Sequence, residues 1–165
     1  MAHGVGQENR GLIQPIVIQR KVALVIGNAS YPKGPLKNPL NDANSMEVTL
    51  RKLGFDEVRI LHNLTRRQMA LAVDDFTARL TPSSLAFFYF SGHGIQVNDS
   101  NYLLPVDFDG ASEADVEYEA YSARRVQDKL EQSGARLRVM VLDACRNNPY
   151  RLNRDSRRGA CPDVS

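Results

Sequence analysis

Cysteine is scarce in this chain: Cys145 and Cys161 are the only two in 165 residues. Two thiols build no disulfide framework and lack the clustered spacing of a zinc site, which points to a reducing, cytoplasmic compartment. Long apolar runs are also missing. None approaches the roughly 18 residues needed to span a membrane. The opening MAHGVGQENRGLIQPIVIQ has neither the basic start nor the apolar stretch of a signal peptide. Charge of one sign is lacking too, because the net +2 predicts no strong pull toward nucleic acid or membrane. That small excess is local. Residues 146–165 carry five arginines against two aspartates, so the tail is basic and the remainder slightly acidic. No repeat and no low-complexity tract interrupts the chain.

What is present describes one domain. Apolar residues at 42% and charged residues at 24% are the proportions of a soluble globular protein long enough to bury a continuous core. The boundaries we expect are an irregular segment over 1–20, a folded domain over 21–150 and a basic flexible tail over 151–165. KVALVIGN (21–28) is a continuous apolar run, the pattern of a strand buried on both faces. A proline-rich loop follows over 29–41. A helix begins near Asn41 and Asp42, with Ala43, Met46, Leu50 and Leu53 at helical spacing and Gly54 as a stop. EVRILHN (57–63) is a second strand, and Thr65 with Gln68 forms a capping box for a helix through Leu80. SLAFFYFS (84–91) is a third strand, and IQVNDSNYLLP (95–105) is a hairpin turning at Asn98-Asp99-Ser100. An acidic loop (107–118), a helix around 122–133 and the strand ARLRVMVLDA (135–144) complete the order.

Strands alternating with helices predict a parallel α/β sheet, and such sheets carry their chemistry at the carboxyl ends of the strands. The third strand delivers Ser91-Gly92-His93-Gly94 and the fourth delivers Asp143-Ala144-Cys145-Arg146. A free cysteine taken alone is usually a small core residue, and a single histidine is more often structural. At two adjacent strand ends they make another pair. An imidazole beside a thiol populates the thiolate and can hand the proton to a leaving amine. Glycines flanking His93 allow close approach of a substrate and free an N–H for a developing oxyanion.

KVALVIGNASY, LKNPLNDANSM, FFYFSGHG, NYLLPVDFD and VMVLDACRNNPY stand in this order along residues 20–150. In that order they resemble the caspase-like cysteine peptidases, above all the bacterial metacaspase-type branch, the orthocaspases. The 52 positions separating His93 from Cys145 compare with about 50 in the caspase signature. The resemblance implies an α/β three-layer sandwich with a mainly parallel central sheet, here without its C-terminal strands. It implies a dyad of Cys145 as nucleophile and His93 as acid/base, with an oxyanion hole from the backbone N–H groups of Gly94 and Cys145. True caspases carry glutamine where this chain has Asp143. In the metacaspase-type branch that aspartate and the one in the N-D-A motif, here Asp42, line an acidic pocket.

Two carboxylates in a partly dry pocket favour a guanidinium or ammonium, so the expected activity is cleavage after Arg or Lys. Asp42 also suits a helix N-terminus, and both roles can hold together. Ser122 is a further candidate for the pocket border and equally an N-cap. Arg151, Arg154, Arg157 and Arg158 are candidate self-cleavage sites in an exposed tail. Partners implied are proteins or peptides bearing basic residues, and a small-subunit-like C-terminal portion or second chain, with no nucleic acid and no membrane. No cofactor is expected. Many metacaspases use calcium, but the acids Asp107, Asp109, Glu113 and Asp115 read as a solvated loop, and no metal is assigned. Two other readings stand beside this one: a non-catalytic caspase-like interaction module, and a flavodoxin-like anion binder. GNASYPKGP serves the last poorly, because its prolines remove N–H donors.

Overall fold

The first strand, β1 (Arg20–Gly27), is buried throughout from Val22 onward, as its uninterrupted apolar run predicts. The computed structural model describes residues 17–145, and the side chain of Cys145 is not among what it describes. The expectations for residues 1–16 and for the tail, with Arg151, Arg154, Arg157, Arg158 and Cys161, lie outside the described residues.

The remaining elements are α1 (Pro39–Lys52), β2 (Glu57–His62), α2 (Arg66–Ala78), β3 (Ser84–Val97), β4 (Ser100–Leu103), α3 (Glu113–Glu119), β5 (Tyr121–Ser122), α4 (Ala123–Gln132) and β6 (Leu137–Cys145). β1 lies between β2 and β3, and β6 pairs with the other edge of β3, all in parallel. β4 and β5 add an antiparallel extension beyond. Alternation along the strands splits the core. Ala23, Val25, Val58 and Tyr89 pack with Ala43 and Leu50 of α1 on one face. Val22, Leu24, Ile26, Phe88 and Phe90 pack with Met69, Val73 and Phe76 of α2 and Val126 and Leu130 of α4 on the other. The result is the expected three-layer α/β sandwich.

Three elements differ from the sequence expectation. α1 starts at Pro39, with Asn38 as N-cap; proline is well suited to the first turn, where its missing N–H has no partner to lose. The acidic loop contains α3, closed at its start by a capping box between Ser112 and Asp115, a shorter relative of the Ser/Thr-to-Glu pattern. β3 does not stop at Ser91. It runs through Gly92-His93-Gly94 to Val97, because β4 takes over as its partner from Gly94 onward. The hairpin turns at Asn98 and Asp99, both at positive φ, as a tight primed turn requires. The capping box of Thr65 and Gln68 forms as expected.

Asn28 closes the end of β1. It is 0% exposed. Its Nδ2 donates to the carbonyls of Leu64 at 3.3 Å and Leu104 at 3.1 Å, and its Oδ1 accepts from Leu64 N–H at 2.9 Å. One side chain thus ties β1 to the start of α2 and to the chain leaving β4. Asn28→Asp replaces a donor with a buried carboxylate facing two carbonyls. We expect a loss of about 2 kcal/mol or more, read from the urea unfolding midpoint.

Candidate active site

The parallel register of β3 and β6 sets Ser91 opposite Asp143 and His93 opposite Cys145. The two residues expected to share the chemistry therefore arrive side by side from strands whose sequence positions are far apart. No torsional search is needed to bring them together: the ladder fixes their relation. Gly94 follows on β3 opposite Leu103 of β4.

The surroundings of His93 are unusually complete. Its ring lies against Tyr31, centroids 4.5 Å apart and tilted by 54°. Its Nε2 is 2.6 Å from the carbonyl oxygen of Gly34. A carbonyl only accepts, so Nε2 carries the proton and the neutral ring keeps Nδ1 as its acceptor. Its backbone N–H donates to the Tyr31 hydroxyl at 3.0 Å, and its carbonyl accepts from Leu104 N–H at 2.9 Å. The flanking Gly92 has a reason that sequence did not reveal. A Cβ there would stand 2.6 Å from the Tyr31 hydroxyl and 2.9 Å from the Phe90 ring, so this glycine makes room for neighbouring side chains of the fold.

Asp42 lies in the first turn of α1, where the helix dipole favours a carboxylate. The helix start presses onto the end of β1; a Cβ at Gly27 would meet the Pro39 carbonyl oxygen at 2.6 Å. That close approach carries Asp42 to the β3 edge, where the buried Ser91 hydroxyl donates to its Oδ2 at 3.5 Å. Asp143, exposed on β6, accepts from the Tyr89 hydroxyl at 3.2 Å. The two carboxylates thus flank one short stretch of β3. Among the described residues, neither is in an ion pair.

Ser122 is placed differently. It sits on β5 opposite Tyr102 and caps α4, its hydroxyl accepting from Arg125 N–H at 3.4 Å. The hydroxyls that touch the acids are those of Ser91 and Tyr89. Their positions, two and four residues before His93 on one strand, were the signal that periodicity offered. Tyr31 and Gly34 had none, since a loop gives no period from which to place a side chain.

The acidic loop serves the fold. Asp107 accepts from Arg66 N–H at the start of α2, Asp109 pairs with Lys33, and Asp115 closes the α3 box. Among the described residues, no group of three or more histidine, cysteine or acidic side chains is arranged to hold a metal. Nor is any described helix long and apolar enough to cross a membrane.

A parallel sheet ending in a histidine opposite a cysteine, with helices on both faces, defines a class of α/β protein before any comparison is made. Residues 20–162 match the family model of the caspase domain, and the chain belongs to that family. It is 35% identical over 155 residues to the mucosa-associated lymphoid tissue lymphoma translocation protein 1 homolog of Mus musculus, covering 91% of this chain and 17% of the relative. The human protein of that name is 35% identical over 142 residues, covering 83% of this chain and 16% of its own length. Metacaspase-1 of Candida albicans is 34% identical over 115 residues, 54% of this chain and 26% of the relative. The chain therefore spans less than a fifth of the two mammalian relatives and about a quarter of the fungal one.

Tyr89 reports on the acidic surroundings. Burial first, then the negative charge of Asp143 and more weakly of Asp42, push its phenol up to about 12, while the Ser91 hydroxyl opposes the shift. Below pH 10 the phenol is neutral whether the chain is folded or unfolded. Between about 10 and about 12 only the unfolded phenol ionises, so stability falls with rising pH across that window. Urea midpoints at pH 9 and pH 11 should show this fall in the wild type and a smaller one in Tyr89→Phe.

Proposed function

We propose that this domain is a cysteine endopeptidase cleaving after Arg or Lys, with Cys145 as nucleophile and His93 as general acid and base. The observation that carries the proposal is the β3–β6 register, which aligns His93 with Cys145 and Ser91 with Asp143 at one sheet edge. Membership in the caspase domain family supports it.

In this reading the Cys145 thiol gives its proton to Nδ1 of His93, whose Nε2–H goes on donating to the Gly34 carbonyl. The thiolate attacks the substrate carbonyl, and a C–S bond forms as the C=O π pair moves to oxygen. The backbone N–H groups of Gly94 and Cys145 stabilise that oxyanion. The imidazolium then protonates the leaving amine as the C–N bond breaks, leaving a thioester and a neutral ring. Water, deprotonated by Nδ1, attacks the thioester, and the returning proton restores the thiol as the acid departs.

Selectivity rests on Asp42 and Asp143. Each carboxylate is held by one hydroxyl, Ser91 and Tyr89 respectively, which leaves further lone pairs for a substrate cation. A guanidinium between them makes charge-assisted bonds to both, whereas an aspartate side chain would meet repulsion. Arg151, Arg154, Arg157 and Arg158 satisfy the same preference, and self-cleavage there belongs to the proposal. A small-subunit-like portion is its remaining partner. Among the described residues β6 pairs only with β3, and Leu137 and Val141 on it are 47% and 36% exposed.

Fluorogenic peptides ending in Arg, Lys or Asp test this directly. We expect cleavage after Arg and Lys only, abolished in Cys145→Ala. Asp143→Asn should raise KM for the Arg peptide roughly tenfold, the loss of one charge-assisted bond. Cleavage after Asp would keep the peptidase and remove the acidic-pocket assignment. Failure to cleave any peptide, even with a C-terminal portion supplied, would favour the non-catalytic module.

A further inference from the structure

The loop between β1 and α1 contributes two groups to His93, the Gly34 carbonyl and the whole side chain of Tyr31. Tyr31 is 5% exposed and makes contacts that a space-filling aromatic would not need. β1 stops pairing with β3 at Gly27 opposite Ser91, and Asn28 N–H makes the last backbone bond, to the Ser91 carbonyl. The next N–H on that edge of β3 belongs to His93. No strand remains to receive it. The Tyr31 hydroxyl takes the place of the missing backbone acceptor, and itself donates to the Leu104 carbonyl at 3.1 Å. Leu104 N–H in turn donates to the His93 carbonyl at 2.9 Å. A closed circuit thus runs from His93 N–H through one phenol to Leu104 and back to His93, while the phenol ring lies against the imidazole.

We propose that Tyr31 is a positioning residue for His93, its hydroxyl fixing the backbone and its ring fixing the imidazole so that Nδ1 faces the end of β6. The proposal rests on the dyad described above and adds to it a residue that does not touch the substrate. Two further observations agree. Gly92 lacks the Cβ that would displace the hydroxyl. The loop that carries Tyr31 is also anchored on its far side, by the ion pair of Lys33 with Asp109. Burial holds the phenol well above its ordinary range, so it is a neutral donor at neutral pH. The ring alone would keep the packing but leave the part-buried His93 N–H without its acceptor, free to pull the strand toward another partner.

The test is the reactivity of Cys145 in the full chain, read by iodoacetamide alkylation at neutral pH with peptide mapping to separate Cys145 from Cys161. Relative to the wild type, His93→Ala should slow alkylation of Cys145, since the thiolate loses its imidazolium. Tyr31→Phe should slow it roughly tenfold, the scale of one buried bond, at temperatures where circular dichroism shows the variant folded. With an Arg peptide the same variant should lose kcat in similar proportion and keep its KM. Gly92→Ala, which drives a Cβ into the hydroxyl, should act alike, and the double variant should lose little more than either single one.

A Tyr31→Phe variant that melts earlier but keeps wild-type alkylation and kcat would overturn the proposal, leaving Tyr31 a packing residue and the dyad intact. Indifference of Cys145 to His93→Ala would overturn the proposal and the dyad together. Loss of selectivity for basic peptides alone would mark Tyr31 as part of the pocket instead, and would also overturn it.

Discussion

β3 continues to Val97, past the Ser91 at which β1 ceases to pair with it and before the Gly94 at which β4 begins, so the edge at His93 must be satisfied by something other than a strand. Buried backbone N–H and C=O groups do not go unpaired at tolerable cost. The Tyr31 hydroxyl and the Leu104 N–H meet that demand, and the Leu104 carbonyl in turn accepts from the Asn28 amide and the Tyr31 hydroxyl. These groups also fix where the β1–α1 loop runs, and the loop brings the Gly34 carbonyl to the imidazole. A requirement of sheet hydrogen bonding is thereby turned into the setting of a histidine. The same junction decides the position of α1, whose first turn rests on Gly27 and delivers Asp42.

The two carboxylates illustrate how local roles combine. Asp42 is a helix N-terminal acid by position and a Ser91 partner by packing. Asp143 is the last but two residue of a strand and a Tyr89 partner. Neither hydroxyl neutralises its acid; each gives its carboxylate one hydrogen bond and leaves the other lone pairs open. The ring of Tyr89 belongs to the core under α1, and its hydroxyl connects that core to Asp143.

Much of this was legible in the sequence, for reasons that differ by element. The strands announced themselves because burial on both faces admits only apolar residues, and the box of Thr65 and Gln68 because its chemistry is local. His93 and Cys145 could be singled out by type and position at strand ends, and Asp42 and Asp143 through the resemblance to the metacaspase-type branch. Whether they act as proposed is a separate matter of chemistry. The course of β3 through Gly92-His93-Gly94 was not legible, because glycines read as an ending unless the next partner strand is known. α3 was hidden by its short length and its Ser112–Asp115 box, and Ser122 by the ambiguity between a cap and a site. Tyr31 and Gly34 act through loop geometry, which depends on Leu104, a residue more than 70 positions further along.

β3 is the strand that every part of the site shares, yet its two parallel neighbours come from opposite ends of the described chain. Pairings so distant in sequence form late and slowly, since the loop must close before contacts repay it. Cys145 is at the end of the last of the described strands, made after His93, Asp42 and the core that holds them. During synthesis His93, Asp42, Ser91 and Tyr89 leave the ribosome before Asp143 and Cys145, which arrive together on β6. The order of the described strands along the polypeptide acts as a timer: His93 and Cys145 come side by side only once β1 to β5 exist to receive β6.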